Sequence, residues 1–560
     1  MADIIRLHPY SSTNNCLSHP QAKSTSDVAL EAAIEPNSLN RVVIGGNTPN
    51  TNLKLKGPLW VLVVVSVLSS TFLFGLDTTI TAVLQPKIIE TFGEIEKLPW
   101  VSVGAGLGGV SVNLVWGKFY GQFNNKYLFI SAVIIFEVGS VLCGAASSVN
   151  VFIVGRTLSG LGGSGLYIGA ISIITAFTTI EQRPLYMGFL GVTWSVATVL
   201  GPIIGGVIGD SKGTWRWAFY LNLCVVAVAP VYIFLLPSSA PSSQSSTFKE
   251  KVKRLDLTGT VLLAGLTTAL TMAISFGGSV FSWKSGQIIG LLVCGSVLTI
   301  LFVVQQLLYF LTTEEDRLFP VQFFYSRELC ILFAQVAVAI PCLYLPMYFI
   351  PLFFQFVHGD KALDSGVRLL PFIFVIIFST MLNGALLPKF IYMPLFLVGG
   401  LLATAGAALL HSLNLESGTP SVYGYTSVIA FGTGLFVQAP FAIAQASVEV
   451  ESVPLVTAFI SCAQISSITF SLAIGNSIFV NQAFKKVGAV LPGVRVEDVQ
   501  LAIAGVNGRF LDGLDAVDQR RVLEAIVSSI DDVYIVAIFG AAAAVVLSVF
   551  MKREKVFGNN

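Results

Sequence analysis

The chain has 560 residues, of which 54% are hydrophobic and only 11% are charged, and its net charge is +1. Soluble proteins carry about 25% charged residues, so this composition, with a mean hydropathy of +0.79, excludes an ordinary soluble protein. The small net charge and the lack of a basic stripe argue against nucleic acid as a partner. The seven cysteines form no Cys-x-x-Cys or Cys/His pattern, so we expect neither a disulfide framework nor a metal site.

The first 57 residues are polar, rich in Ser, Asn and Pro, and contain no early apolar core. This composition predicts a disordered tail and not a cleaved signal peptide. The first apolar block, from Pro58 to Leu76, carries no charge and matches the roughly 20 residues that a helix needs to cross hydrocarbon. We therefore expect the first spanning helix to act as the insertion signal and residues 1–57 to stay in the cytosol.

Long apolar blocks recur along the chain and predict an all-α polytopic membrane protein with about fourteen transmembrane helices, thirteen being the alternative count. The first eight predicted windows are 58–78, 99–118, 127–147, 151–177, 186–209, 217–236, 257–277 and 286–310. The remaining six are 329–354, 366–387, 391–412, 422–444, 456–480 and 532–551.

Lys and Arg residues near the ends of these windows indicate the orientation. With an even number of spans, the basic clusters all fall on one face, which must be the cytosolic one. These clusters are Lys54 and Lys56, Lys118 and Lys126, Lys249 to Arg254, and Lys552 to Lys555. Their agreement favours fourteen spans and places residues 552–560 in the cytosol.

A charged segment, 482–531, separates the last two predicted spans and forms an outer loop in this topology. Its basic residues run against the positive-inside rule, but long loops cross the membrane largely regardless of charge. Alternating apolar residues from Val517 to Ile530 predict a short amphipathic helix that lies on the membrane surface.

Five short motifs lie in the first half of the chain, each weak alone but strong in this order and spacing. They are Gly75-Leu-Asp-Thr-Thr-Ile80, Gly117-Lys-Phe-Tyr120 with Lys126, Gly155-Arg-Thr-Leu-Ser-Gly-Leu-Gly-Gly163, Gly201-Pro-Ile-Ile-Gly-Gly206 and Trp215-Arg-Trp-Ala-Phe-Tyr-Leu-Asn222. Together they resemble the fourteen-span drug:proton antiporter subfamily of the major facilitator superfamily, in its fungal form. The second half matches that subfamily only in span count and general character.

The resemblance implies a major facilitator fold in a six-plus-two-plus-six arrangement. Residues 58–236 would form the first six-helix bundle, 237–310 a linker with two extra helices, and 311–551 the second bundle. The two bundles would rock about a central cavity and expose it to each side of the membrane in turn. We expect a monomer in the plasma membrane, with the vacuolar membrane as the alternative.

Three ionisable residues in apolar surroundings are the candidates for proton coupling. Asp77 comes near the end of the first predicted span, where an ionised carboxylate must pair, protonate or face water; capping at a helix end is the simpler explanation. Arg156 opens the fourth span and either pairs with a carboxylate or extends to the interface. Glu137 lies well inside the third span and either binds a proton or joins two helices. The resemblance favours coupling roles for Asp77 and Arg156.

The other motif residues are candidates for conformational change. Proline bends a helix and glycines allow close helix approach, so the run after Ala197 predicts a tightly packed hinge, although an ordinary kinked span has the same composition. The link between the second and third spans departs from the superfamily pattern, because Gly121 replaces an acid and weakens the expected charge latch. The predicted gating residues are Gly117, Lys118, Lys126, Gly160, Gly201, Pro202, Gly205 and Gly206.

The predicted function is proton-coupled efflux of a small lipophilic organic compound, such as a secondary metabolite, toxin or drug. Trp194 and Tyr167 are expected to line a hydrophobic substrate cavity, because the resemblance puts their spans beside it. No GxxxxGK[ST] loop occurs, so ATP is not an expected energy source or cofactor. The alternatives are a vacuolar basic amino-acid or siderophore transporter of the same fold, and a membrane receptor; no residue pattern predicts an enzyme.

Overall fold

The computed structural model describes residues 57–92, 97–210, 214–236, 250, 254–278, 280–360, 362–492 and 513–556. The elements named within these residues are all helices, and twelve of them are long and apolar enough to cross a membrane. A helix satisfies its backbone hydrogen bonds internally, as hydrocarbon requires. The predicted all-α membrane fold is confirmed, whereas the predicted tail lies outside the described residues except for Gly57.

The first half of the chain consists of five long helices and an irregular sixth segment. Helices α1 to α5 are Pro58–Phe92, Leu98–Gln122, Asn125–Gly144, Val149–Phe177 and Arg183–Asp210. The sixth segment, α6, begins as an α-helix at Trp217–Tyr220, continues as a 3-10 helix at Leu221–Val228 and ends as a π-helix at Val231–Leu235. Runs of 3-10 helix this long are uncommon because their hydrogen-bond geometry is poorer, and π-helices are rare. The irregular segment packs between α1 and α3.

Two further helices separate the first half from the second. These are α7 (Leu257–Phe276) and α8 (Gly286–Leu308). The helices that follow are α9 (Arg327–His358), α10 (Ala362–Val367), α11 (Leu370–Leu386), α12 (Met393–Leu410), α13 (Thr419–Gly434), α14 (Ala439–Ala446), α15 (Val453–Val490) and α16 (Ala516–Val549). The α10–α11 and α13–α14 pairs each occupy one predicted span. Because α2 and α6 fall at the two predicted windows that the twelve candidate spans leave open, the described residues are compatible with fourteen spans.

Several helix boundaries differ from the predicted windows. The first window ended at residue 78, whereas α1 continues to Phe92 and its candidate membrane span ends at Thr81, so Asp77 lies near the end of the span but not at a helix end. At the other end of the chain, α15 extends to Val490 and α16 already begins at Ala516. The stretch from Val517 to Ile530 therefore belongs to a long helix with buried side chains, not to a separate surface helix. Polar residues lower the local hydropathy without ending a helix, which explains both errors.

The two halves meet through small residues. On α2, Gly117 faces Ala458 of α15 with no room for a side chain. Asn113 Nδ2 donates a 3.1 Å hydrogen bond to the Ala458 carbonyl, and Ser461 Oγ donates one of 3.1 Å to Asn113 Oδ1. A second contact joins α5 to α11, where Gly191 lies against Thr380. Close backbone approach of this kind is how membrane helices associate, because the lipid offers no hydrophobic driving force between them.

Candidate functional site

The centre of the first bundle holds a buried ion pair. Arg156 Nη1 lies 2.5 Å from Asp77 Oδ2, and both side chains are only 1% exposed. Arg156 Nη2 also donates a 3.3 Å hydrogen bond to the Asp77 backbone carbonyl. The pair joins α1 to α4, and its two residues are 79 positions apart in the sequence. The structure thus brings together two of the three predicted coupling residues.

Asn222 of α6 completes this site. Its Nδ2 donates 3.0 Å hydrogen bonds to Asp77 Oδ1 and to Ser140 Oγ of α3. Both oxygens of the Asp77 carboxylate therefore have a donor, one from Arg156 and one from Asn222. Asn222 is the last residue of the motif that begins with Trp215, so the sequence did contain a signal for it. That signal was missed because tryptophans that anchor a helix at the membrane interface already explained the motif. The irregular helix of α6 brings this amide to the carboxylate.

Glycines set the close packing around the pair. Gly201 faces the backbone of α1 at Leu76 and Ile80, and Gly205 faces Ile80, so the predicted hinge motif packs directly on the Asp77 turn. Helix α5 continues through Pro202 to its end at Asp210. On α4, a Cβ at Gly160 would overlap the Ala105 carbonyl oxygen of α2. The absence of side chains at these points lets α5 pack closely on α1 and lets α4 pack closely on α2, around the two helices that carry the ion pair.

Glu137, the third predicted coupling residue, makes no hydrogen bond to the pair. It is 9% exposed, and neither of its carboxyl oxygens has a hydrogen-bond partner among the described residues. It stands one helical turn before Ser140 on α3 and lines a cavity of about 460 Å³ between α3 and α6. Burying a carboxyl group without a hydrogen-bond partner costs free energy. A residue that only joined two helices would have such a partner, which Glu137 lacks among the described residues.

Lys118, at the cytosolic end of α2 in the predicted orientation, reaches the linker between α8 and α9. Its Nζ donates a hydrogen bond to the backbone carbonyl of Asp316. Position 121, where the superfamily pattern has an acid, is a glycine in this chain. The partner of Lys118 is instead a backbone carbonyl across the interface. Lys126 lies at the start of α3, where its backbone N–H is capped by the Asn124 side chain. The structure places the two lysines in different roles.

The same linker is organised by Asp256, which sequence reasoning missed. Asp256 is 3% exposed and caps α7 by accepting a 2.7 Å hydrogen bond from the Gly259 N–H. Its carboxylate also accepts hydrogen bonds from the side-chain amides of Gln305 and Gln306, at the end of α8, and from the Leu318 N–H. One carboxylate therefore ties both extra helices to the linker that Lys118 contacts. The two glutamines and Leu318 lie about 50 and 60 positions from Asp256 in the sequence, so no local sequence pattern predicts these contacts.

The predicted cavity residues, Trp194 and Tyr167, lie together at the interface between the halves. Their rings pack edge to face with centroids 5.2 Å apart. Trp194 donates its indole N–H to the Tyr344 hydroxyl of α9 in the second half. The Tyr167 hydroxyl and the Oε1 atoms of Gln438 and Gln464 are all buried without a hydrogen-bond partner among the described residues. The interface thus presents aromatic rings and neutral polar groups.

No group of His, Cys, Asp and Glu residues suited to a metal ion occurs in the part of the chain that the structure describes. The arrangement is that of a polytopic helical membrane protein with an ion pair inside one helix bundle. The family model described as Major Facilitator Superfamily matches residues 67–471, and the chain belongs to that superfamily.

Known proteins resemble the chain over most of its length. It is 46% identical over 505 residues to the MFS-type transporter pgmG of Aspergillus terreus, with 90% of each chain covered. It is 41% identical over 513 residues to the efflux pump alnA of Emericella nidulans, with 91% of this chain and 93% of that protein covered. A bacterial homologue of the human lysosomal transporter Spinster, in an inward-facing and unoccupied conformation, shares the fold with a TM-score of 0.53 at 16% identity, covering 88% and 98%.

Proposed function

We propose that the chain is a proton-coupled efflux transporter that exports a small lipophilic organic compound by alternating access. The observation that carries this proposal is the fully buried Asp77–Arg156 pair, which joins two helices of the first bundle. Efflux is also the activity in the printed name of the alnA relative. The proposal further expects a monomer in the plasma membrane.

Protonation of Asp77 is the step that would link the proton to helix movement. In the described conformation the carboxylate is balanced by the Arg156 guanidinium and held by Asn222. A proton on Asp77 removes the negative charge and leaves Arg156 buried without compensation, which costs roughly 3–5 kcal/mol. The bundle can relieve this cost by rearranging until Arg156 finds water or another acceptor. Loss of the proton would restore the pair and the described conformation.

The small-residue contacts and the linker would form the moving parts. Gly117 and Gly201 lie at helix contacts without space for a side chain, so these helices separate or slide as units. The hydrogen bond from Lys118 to the Asp316 carbonyl would open whenever α2 moves away from the linker. Lys126, Gly160, Pro202, Gly205 and Gly206 remain predicted members of the same machinery.

The cargo would bind between the halves, at the aromatic and amide cluster around Trp194 and Tyr167. The buried hydroxyl of Tyr167 lies beside the side-chain amides of Gln438 and Gln464, and this polar cluster would pair with a polar group on a ligand. The cluster offers no carboxylate to balance a cationic cargo, so its chemistry favours a neutral compound over a basic amino acid.

The test is transport by the purified protein in sealed vesicles. Nile red, a neutral lipophilic dye, would be expelled by vesicles that contain the wild-type chain only when a proton gradient is imposed, and an ionophore that collapses the gradient would stop export. Asp77→Asn should bind the dye but lose gradient-driven export. Export that continues at the wild-type rate without a gradient, or with Asp77→Asn under a gradient, would contradict proton coupling at this residue.

A further inference from the structure

The extra helices α7 and α8 lie beside the contact between α2 and α15, where the two halves meet. Helix α7 packs against both α2 of the first bundle and α15 of the second. On the α2 side the contact is an apolar cluster: Leu107 packs with Met272 and Phe276, and the Trp100 ring lies edge to face on Phe276 with centroids 6.0 Å apart. If α2 and α15 separate, α7 can stay with only one of them, so the strength of each contact decides which.

The turn between α7 and α8 is hydrogen-bonded to α15. Asn481 of α15 donates a 3.2 Å hydrogen bond from Nδ2 to the Gly277 carbonyl, and its Oδ1 accepts one of 3.2 Å from the Trp283 indole N–H. Gly278, at a φ of +75°, lies so close to the Asn481 side chain that a Cβ would overlap it, and glycine is the residue that adopts this backbone without strain. One amide therefore holds both sides of the turn.

At the opposite end, the linker between α8 and α9 is also attached to α15. Its Phe319 N–H donates a 2.7 Å hydrogen bond to Gln306 Oε1 at the end of α8. Three aromatic rings of the linker pack against the Phe459 ring of α15, with centroids 5.5 to 5.7 Å from it: Phe319, Phe323 and Phe324. Phe459 and Asn481 are 22 positions apart on α15, which is about 33 Å along a helix and close to the thickness of the hydrocarbon core. The extra helices are thus attached to α15 at both faces of the membrane.

These contacts differ in what their loss would cost. Separation of α7 from α2 exchanges apolar contacts for lipid, which is equally apolar and so opposes the separation little. Separation from α15 would break both hydrogen bonds of Asn481 and take apart the edge-to-face rings around Phe459. The hydrogen bond from Lys118 to the Asp316 carbonyl also joins the linker to α2, but it lies at the cytosolic end of that helix, where water can replace the carbonyl. Helix α15 therefore holds the extra helices more strongly than α2 does.

We propose that α7 and α8 move with the second bundle during transport, and that Asn481 is the positioning residue that attaches their outer turn to α15. This inference rests on the proposed alternating access and adds to it the boundary along which the halves separate. That boundary runs between α2 on one side and α7 together with α15 on the other. Asn481 acts through the turn that it holds and not through the cargo or the proton.

Distances between three exposed positions test the inference with the full-length chain in lipid nanodiscs. Spin labels on an introduced ketone amino acid, which avoids the native cysteines, replace Ser147 before α4, Lys284 beside the turn, or Lys485 on α15. Double electron–electron resonance across a pH series then measures the bundle pair (Ser147 and Lys485), the α4–turn pair (Ser147 and Lys284) and the turn–α15 pair (Lys284 and Lys485). The α4–turn distance should change whenever the bundle distance changes, while the turn–α15 distance stays constant. A turn–α15 distance that changes with the bundle distance would overturn the inference.

Variants test the role of Asn481 whether or not the bundles move. Asn481→Leu and Trp283→Phe remove opposite sides of one hydrogen bond, so each should broaden the turn–α15 distance distribution. Asn476→Leu, at an exposed position of the same helix, is the matched control and should leave the distribution unchanged. Folded Asn481→Leu protein that keeps the wild-type distribution would overturn the inference. A bundle distance that is fixed at every pH would instead contradict the proposed function, and the Asn481 variants would then decide by themselves whether the turn is attached to α15.

Discussion

The interiors of the two halves differ in the kind of polar group they bury. Among the described residues, every buried acid and base precedes residue 318: they are Asp77, Lys118, Glu137, Arg156, Arg183, Asp256 and Arg317. From α9 onward, the buried polar side chains are amides and hydroxyls, such as Gln335, Asn383 and Gln464. The second bundle therefore has a mostly neutral polar interior, with Asp531, whose buried Oδ1 has no hydrogen-bond partner among the described residues, as an exception.

This difference divides the expected work between the halves. Buried charges are expensive in a membrane and persist where they pair or act, so the groups able to exchange a proton are concentrated in the first bundle and the extra helices. Buried amides cannot exchange protons, but they can recognise the polar groups of a ligand. Under the proposed function, the first bundle would supply energy coupling and the second would contribute recognition at the shared interface.

The largest expected effect on stability comes from substituting one residue of the Asp77–Arg156 ion pair at a time. Asp77→Asn or Arg156→Gln alone should lower the free energy of unfolding in detergent by about 3–5 kcal/mol, because each leaves an uncompensated buried group. The double variant should lose less than the sum of the two. Glu416→Gln, which removes an exposed partner of Arg520, is the control and should cost under about 1 kcal/mol. Additive losses would show that the two residues do not act as a pair.

Overpacking the same bundle should have an intermediate effect. Gly160→Val places a side chain against the Ala105 carbonyl and should cost about 1–3 kcal/mol in unfolding free energy, with lower transport. Gly290→Ala on α8, where nothing lies near the added carbon, is the matched control. If both substitutions behave alike, the α2–α4 contact is looser than described.

Removing the amide that holds Asp77 should have an effect of similar size on stability. Asn222→Leu keeps a similar volume but leaves Asp77 Oδ1 and Ser140 Oγ without this donor, at a cost of about 1–3 kcal/mol. It should change the pH dependence of Nile red export more than the affinity for the dye. Asn383→Leu, an amide-to-leucine change in the second bundle, should leave the pH dependence of export unaltered. If Asn383→Leu changed this pH dependence and Asn222→Leu did not, the two halves would not differ in the way described.

The smallest stability effect is expected for the neutral cluster. Gln464→Leu removes a buried Oε1 without a partner, so unfolding free energy should change by less than about 1 kcal/mol in either direction. The dye's apparent affinity should change while the dependence of export on the proton gradient remains. A variant that loses gradient dependence but keeps affinity would place coupling in the second bundle.

The sequence predicted the helical class, the superfamily resemblance and two members of the buried pair. Those predictions rest on local signals: uninterrupted apolar runs, and charged residues inside them. The length of α1 was underestimated because Gln85 and Lys87 lower the hydropathy of a helix that nevertheless continues to Phe92. The start of α16 was misplaced in the same way, since its first turns are charged.

Other features could not be predicted because they depend on distant contacts. Asp256 looks like an ordinary residue before a helix until Gln305, Gln306 and Leu318 fold onto it. The irregular helix of α6 has no signature beyond Pro230, and the cavity beside Glu137 exists only because α3 and α6 leave a gap. Packing across the bundle, and not local sequence, decides these features.

The central claim is that Asp77 takes up the proton, and infrared difference spectroscopy of the purified protein tests it without any cargo. Acidification should produce carbonyl stretching bands from the protonated carboxyl groups of the chain, and Asp77→Asn should lose one component of these bands that Glu416→Gln retains. If folded Asp77→Asn protein gives the same carbonyl bands as the wild type across the acidic range, Asp77 is not the group that binds the proton.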